Sequence, residues 1–304
     1  MFDPRYEDQV RLLLRCLPMV AAQDCFALKG GSAINLFVRD MPRLSVDIDL
    51  TYLPIEPRTE SLKGIESGLV GIQESVVHNL GDAKVEPIRI HGRVAKLDVF
   101  GATSQIRIEP NLILRGVLGN AAPRDLCAAA QNHFARFASA AVVPEPDLYA
   151  GKLCAALDRQ HPRDLFDVKL LIDDTGITPE IRRGFVVYLA ACNRPMNELL
   201  APRLNNIADA YNSEFQGMAR IELPLSDLEA VQRDLAPTLV NSLDADERQF
   251  LLSMKAGDPD WDILGFRNLQ AMPALQWKLI NIRRMEAAKR AEQLQALKEI
   301  LEPR

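Results

Sequence analysis

The pattern of apolar and polar positions divides the chain into two unlike parts. Residues 25–31, CFALKGG, are an apolar string closing on a glycine pair, which predicts a buried strand that ends in a turn. Ser32 follows as the expected cap of a short helix running to about Arg39. SVDIDLTYL, 45–53, alternates polar and apolar positions and predicts a strand, and 59–80 predicts a helix. KVEPIRI, RVAKLDVF and QIRIEPNLI are three further strand candidates, separated by turn dipeptides such as His91-Gly92 and Gly101-Ala102. After about residue 120 strand signals give out. PDLYAGKLCAALDRQ is helical, His161-Pro162 interrupts, and RDLFDVKLLIDDTG is helical with Gly176 as its stop. PEIRRGFVVYLAACN, LSDLEAVQRDLAPTLV, ADERQFLLSMKAG and the C-terminal stretch continue in helices. The expected fold class is therefore α+β: a small mixed sheet with helices over 1–125, then an all-helical domain over 126–304. The connections GNAAPRD and VVPEPD bracket that boundary.

Composition narrows the class. A chain of 304 residues, 48% hydrophobic and 25% charged, has the profile of a soluble globular protein of one or two domains. No apolar run reaches the roughly 18 residues that a membrane span needs. The charged N-terminus MFDPRYEDQV lacks a signal-peptide core, so a cytoplasmic protein with no membrane partner is expected. Cys16, Cys25, Cys127, Cys154 and Cys192 show no paired spacing and read as reduced thiols, and four histidines without a Cys/His cluster give no zinc pattern. A net charge of −5 argues against coating nucleic acid through bulk charge. It leaves room for a local patch. The last 28 residues are locally basic through Lys278, Arg283, Arg284, Lys289 and Arg290, either as a solvated helix face or as a phosphate-contacting arm.

The candidate chemistry lies at 29–50, KGGSAINLFVRDMPRLSVDIDL. On a strand, Asp47 and Asp49 project to one face while Val46, Ile48 and Leu50 take the other. Two such carboxylates repel unless a proton or a cation is shared. Oxygen-only ligation suits Mg2+ or Mn2+, with water and substrate phosphate completing the shell. Gly30 and Gly31 allow backbone N–H groups to approach a phosphate, and Ser32 adds a hydroxyl. Taken singly, a glycine pair is most often a turn and DxD an ordinary pair of strand acids. Together in one strand–turn–helix–strand unit they point to a nucleoside triphosphate beside a metal.

This unit resembles the glycine-serine and DxD motif of the DNA polymerase beta-type nucleotidyltransferases. More narrowly, KGGSAINLF with RLSVDIDL is similar to the AbiEii/AbiGii toxin family, which includes the MenT toxins. DLYAGKLCAALDRQHPRDLFDVKLL resembles that family's second block, so the likeness spans nearly the whole chain. The resemblance implies a nucleotidyltransferase core and a helical domain completing the active-site cleft. It implies a toxin that adds nucleotides from an NTP to the 3′ end of an RNA acceptor, tRNA in particular, releasing pyrophosphate, and that is restrained by an antitoxin encoded nearby.

A two-metal site takes a third carboxylate from a neighbouring strand. The pattern offers Asp98 in RVAKLDVF and Glu109 in QIRIEPN, and does not choose between them. The family's acid-bearing strand followed by an LRG turn resembles IRIEPNLILRG better, which favours Glu109. Lys152 reads on its own as a lysine whose stem lies on small apolar neighbours, and in the resemblance as the cation that neutralises nucleotide phosphates. Asp164 and Asp167 share a helix face. The plain reading pairs Arg163 with Asp167; the resemblance places Asp167 in the site, orienting Lys152 or assisting the nucleophile. Asp158 and Arg159 are expected to support this corner, His161 to cap a helix or pack at its start, and Trp261 and Trp277 to be core or interdomain residues. The other classes open to such a cradle are a protein-modifying nucleotidyltransferase or kinase and a non-catalytic nucleotide-binding module.

Overall fold

In the computed structural model, which describes residues 2–302, Asp3 opens the first helix: its carboxylate accepts the Arg5 N–H at 2.8 Å, and Pro4 occupies the first turn where no donor is needed. That helix, α1 (Pro4–Ala21), buries Val10, Leu13, Leu14 and Leu17. Strand β1 (Phe26–Lys29) then leads into a single turn, α2 (Gly30–Ala33), continued by a π-helical turn over Ile34–Val38. β2 (Ile48–Tyr52), α3 (Arg58–Asn79), β3 (Lys84–Ile90), β4 (Arg93–Phe100) and β5 (Gln105–Pro110) follow. The first sheet-bearing part ends with β6 (Ala122–Asp125), α4 (Ala128–Phe134) and β7 (Ser139–Val142). The remaining helices are α5 (Glu145–Asp158), α6 (Pro162–Asp174), α7 (Pro179–Ala191), α8 (Met196–Leu200), α9 (Ala208–Ala210), α10 (Leu225–Ser242), α11 (Ala245–Ala256), α12 (Pro273–Arg284) and α13 (Ala287–Leu301). The class is α+β.

Among the described residues, seven strands form one mixed sheet in the order β3-β4-β5-β2-β1-β7-β6. Its register sorts the side chains. Ile48, Leu50 and Tyr52 of β2 lie beside Ile108 of β5 and Leu28 and Phe26 of β1, all buried. α3 covers this apolar face and approaches so closely that a Cβ on Gly68 would lie 2.6 Å from the Phe26 ring. The alternate positions of the central strands, Lys29, Asp49, Glu109, Arg107, Asp98 and Lys96, take the opposite, charged face.

Two features differ from the sequence reading. β6 and β7 form an antiparallel pair beyond residue 120, and β7 lies parallel to β1 through Leu28 and Val142. Their sequences, APRD and SAAV, carry proline, charge and small residues, so the strand state comes from pairing to a sheet edge rather than from propensity. The chain accordingly divides after Pro144, inside the VVPEPD connection rather than at 125, into two compact units. The first unit also takes in Glu214–Glu222, while the second holds Glu145–Ser213 and the chain from Leu223 onward.

Within the first unit, Glu214–Glu222 braces the loop that leads into β2. Leu44 donates its N–H to the Met218 carbonyl at 2.8 Å, Arg220 N–H reaches the Pro42 carbonyl at 2.8 Å, and Arg43 bridges to Ala219. Phe215 and Met218 are buried. No helix among the described residues is long and apolar enough to cross a membrane.

Candidate active site

The glycine turn is shaped by the acid beside it. Gly30 has a positive φ of 68°, and a Cβ there would sit 2.1 Å from Asp49 Oδ2, so only glycine leaves that carboxylate in place. A Cβ on Gly31 would lie 2.6 Å from Ser45 Oγ and 2.9 Å from Arg43 Nη2. Arg43 is buried beneath the turn and donates through Nη1 to its neighbour's carbonyl, Leu44 O, at 2.7 Å. Asn35 Nδ2 donates to the Gly31 carbonyl at 3.0 Å and holds the turn from the helical side.

Ser32 does not cap the helix: the backbone enters it at Lys29, and the Ser32 hydroxyl donates to the Asp47 carbonyl oxygen. The serine thus ties the turn to the residue that starts the acid pair. Arg43 and Ser45 were not singled out from the sequence. Their signal was the RLS that precedes VDID, where an arginine embedded among apolar residues marks a buried cation.

Asp47 and Asp49 are half-buried at the head of β2, and Asp49 is the register partner of Glu109 on parallel β5. Asp98 sits one strand further out, opposite Arg107, and accepts that guanidinium at 2.7 and 3.0 Å. Arg107 is held strongly protonated, first by its bonds to Asp98 and, against burial, by the nearby carboxylates of Glu109 and Asp47. Glu109 pairs with Lys96 at 2.7 Å. Of the two candidate third acids, Glu109 therefore flanks Asp49, whereas both Asp98 oxygens are taken by Arg107.

A second constellation lies in the helical unit. His161 caps α6, accepting the Arg163 N–H on Nδ1 at 3.1 Å, and Pro162 takes the first helical position. This start sets Asp164 and Asp167 one turn apart, facing α5. Lys152 Nζ meets Asp164 Oδ1 at 2.8 Å and Asp167 Oδ2 at 2.9 Å, and all three residues are buried. Arg159 grips Asp164 with a fork of 2.6 and 3.0 Å. Burial alone would raise the Asp164 carboxyl, but the Lys152 ammonium and then Arg159 outweigh it and hold the group well below the usual carboxylate range. Lys152 thus does not extend its ammonium to water on an apolar stem; two carboxylates orient it. Asp158 receives Arg194 at 3.3 Å.

The C-terminal basic residues serve the fold as well as the surface. Lys278 is buried and donates to the carbonyls of Cys192, Asn193 and Arg194, closing the end of α7; burial pulls its pKa to about 8. Arg283 donates to Gly257 O at 2.9 Å beyond the end of α11. Trp277 is 46% exposed on α12, so it is not a core residue.

Among the described residues, no three His, Cys, Asp or Glu side chains converge as a ready-made metal site. The donors beside the glycine turn nonetheless fit a hard divalent cation. Magnesium is commonly held by one or two carboxylates with water and substrate phosphates, and Asp47 and Asp49 supply that number.

The family model described as nucleotidyl transferase AbiEii toxin, type IV toxin–antitoxin system, matches residues 11–281. No curated protein sequence matches the chain. Among solved structures, the chain is similar to MenT4, a nucleotidyltransferase toxin of Mycobacterium tuberculosis H37Rv, with 16% identity and a TM-score of 0.59 over 96% of this chain and 92% of that one. Terminal uridylyl transferase 4 of Trypanosoma brucei with bound GTP also aligns, with 14% identity and a TM-score of 0.32 over 97% of this chain and 93% of that one.

Proposed function

The chain belongs to the AbiEii family of nucleotidyltransferase toxins, and from that premise we propose that it transfers a nucleotide from an NTP to the 3′-terminal hydroxyl of an RNA acceptor, in particular tRNA. The observation that carries this reading is the placement of Asp49 against the Gly30 turn on one side and Glu109 on the other. Nucleotidyl transfer needs a seat for a polyphosphate, carboxylates to bring a divalent cation to it, and positive charge for the departing pyrophosphate. The backbone of Gly30 and Gly31 is the proposed seat, with Ser32 fixing it to Asp47. Asp47 and Asp49 are the proposed ligands of Mg2+ or Mn2+, and Glu109 is the proposed third acid once Lys96 is displaced from it. The cation, when bound, supplies Lewis-acid stabilisation of the transferred phosphoryl group and lowers the pKa of the acceptor hydroxyl. Lys152, oriented by Asp164 and Asp167, is the proposed cation for the phosphate tail. An antitoxin is the partner that a type IV toxin–antitoxin family implies.

The test is to incubate the purified chain with each labelled NTP, total RNA and lysate protein, beside Asp49→Asn. Label in RNA, lost in the variant, supports the proposal. Label in protein, or label in RNA that survives Asp49→Asn, overturns it.

A further inference from the structure

Outside the acidic face, the buried cations that the chemistry above does not use include one with open donors. Arg115 follows β5, is 4% exposed, and its Nε and Nη1 find no acceptor among the described residues. The backbone next to it is well fixed: Gly116 donates its N–H to the Tyr52 carbonyl at 2.8 Å, and its positive φ of 78° seats it within 3.0 Å of Ile55, measured from a Cβ placed there. These contacts with Tyr52 and Ile55 set Arg115 beside the segment that leads into α3, where its guanidinium feels the charges of Arg58 and Glu56. Glu56 does not neutralise it by direct contact; that carboxylate accepts the Tyr52 hydroxyl at 2.8 Å. A buried guanidinium with open donors is costly unless something completes it.

The helix start beside it is also incomplete. Its N-cap is Pro57, without a side-chain cap, and the first backbone bond runs from Ser61 N to Pro57 O at 3.0 Å. The N–H groups of Arg58, Thr59 and Glu60 find no acceptor among the described residues and sit at an exposed surface. The 22 residues of α3 direct positive dipole to the same spot. Against these donors stand Glu56, engaged with Tyr52, and Glu60 on the exposed first turn.

We propose that Arg115, Arg58 and the first turn of α3 form a binding site for a phosphate-class oxyanion, separate from the acidic face that carries Asp49. A tetrahedral phosphate offers acceptors in several directions, which matches two guanidiniums and a helix start; a planar carboxylate matches a single fork. Inorganic phosphate, the tail of an NTP and a phosphodiester of RNA all present this group. The site does not depend on the transfer chemistry, so its test is binding.

Calorimetric titrations of the full chain, of Arg115→Met and of Arg58→Gln would be run with inorganic phosphate, an NTP and a short RNA without terminal phosphates. Wild type should bind at least one of the three with an affinity that falls about tenfold or more in Arg115→Met and severalfold in Arg58→Gln. The ligand that shows this dependence identifies the source of the phosphate. Thermal melts in phosphate against chloride of equal ionic strength give the second readout: phosphate stabilises folded proteins in general, so the site is read from the part of the shift that the variants lose. Equal titrations for wild type and both variants overturn the site. If Arg115→Met does not fold, exposed Arg58 decides alone, by loss or by identity of binding.

Discussion

The carboxylates of this chain act differently according to what their sheet and helix neighbours leave them. Asp98 is spent on Arg107, while Glu109 stands in register with Asp49. Asp47→Ala and Asp49→Ala are each expected to slow transfer by about a thousandfold or more, the scale at which losing a transition-state charge contact is felt. Glu109→Gln is expected to behave like them, and Asp98→Asn to keep its rate; initial rates with a labelled NTP separate the pair. Buried Asp164 belongs to stability. Breaking one side of a buried ion pair costs about 3–5 kcal/mol, so Asp164→Asn should show that loss in urea unfolding. Its depressed pKa also fixes a sign. The unfolded chain takes up the Asp164 proton first as pH falls below about 4, so stability from this group is full above that pH and drains away toward lower pH. Wild type should therefore lose stability between pH 4 and pH 2 more steeply than Asp164→Asn; parallel curves would contradict the assignment.

At the scale of elements, most of the sheet was legible because its pattern and its environment agree. KVEPIRI and RVAKLDVF become β3 and β4 over the same residues, since alternation matches one apolar and one charged face. β6 and β7 were not legible: nothing in APRD or SAAV asks for a strand until β1 offers its edge. α1 has its own sequence signal in Asp3-Pro4 before an apolar run, the pattern of a helix start. The glycine turn was legible as a turn but not as a turn molded to Asp49. Gly30→Ala tests that close fit. A side chain in the left-handed region costs about 1–2 kcal/mol, and the added Cβ must also push Asp49 aside. The expected outcome is a drop in transfer rate of about tenfold or more with only that modest drop in stability. A variant with normal kinetics would show that the contact between Gly30 and Asp49 is incidental.

For the whole molecule, the sequence carries the order of a mixed sheet followed by helices and marks the VVPEPD connection at which the chain divides, but not the return of Glu214–Glu222 to the first unit. Such a return is invisible to periodicity because it rests on backbone bonds to Pro42 and Leu44 and on burial of Met218. Met218→Asp places a charge in that contact and is expected to raise hydrogen exchange of the amides in 40–46 above wild type. Unchanged exchange there would mean that the brace does not hold the loop. The same loop delivers Asp47 and Asp49, so the central claim can be checked directly with a crystal of the full chain grown with Mn2+ and a nonhydrolysable NTP. Anomalous density between the Asp47 and Asp49 carboxylates and the phosphates, with the polyphosphate on the Gly30–Gly31 backbone, is the expected result. Nucleotide and manganese bound elsewhere, with both carboxylates turned from them, would contradict it.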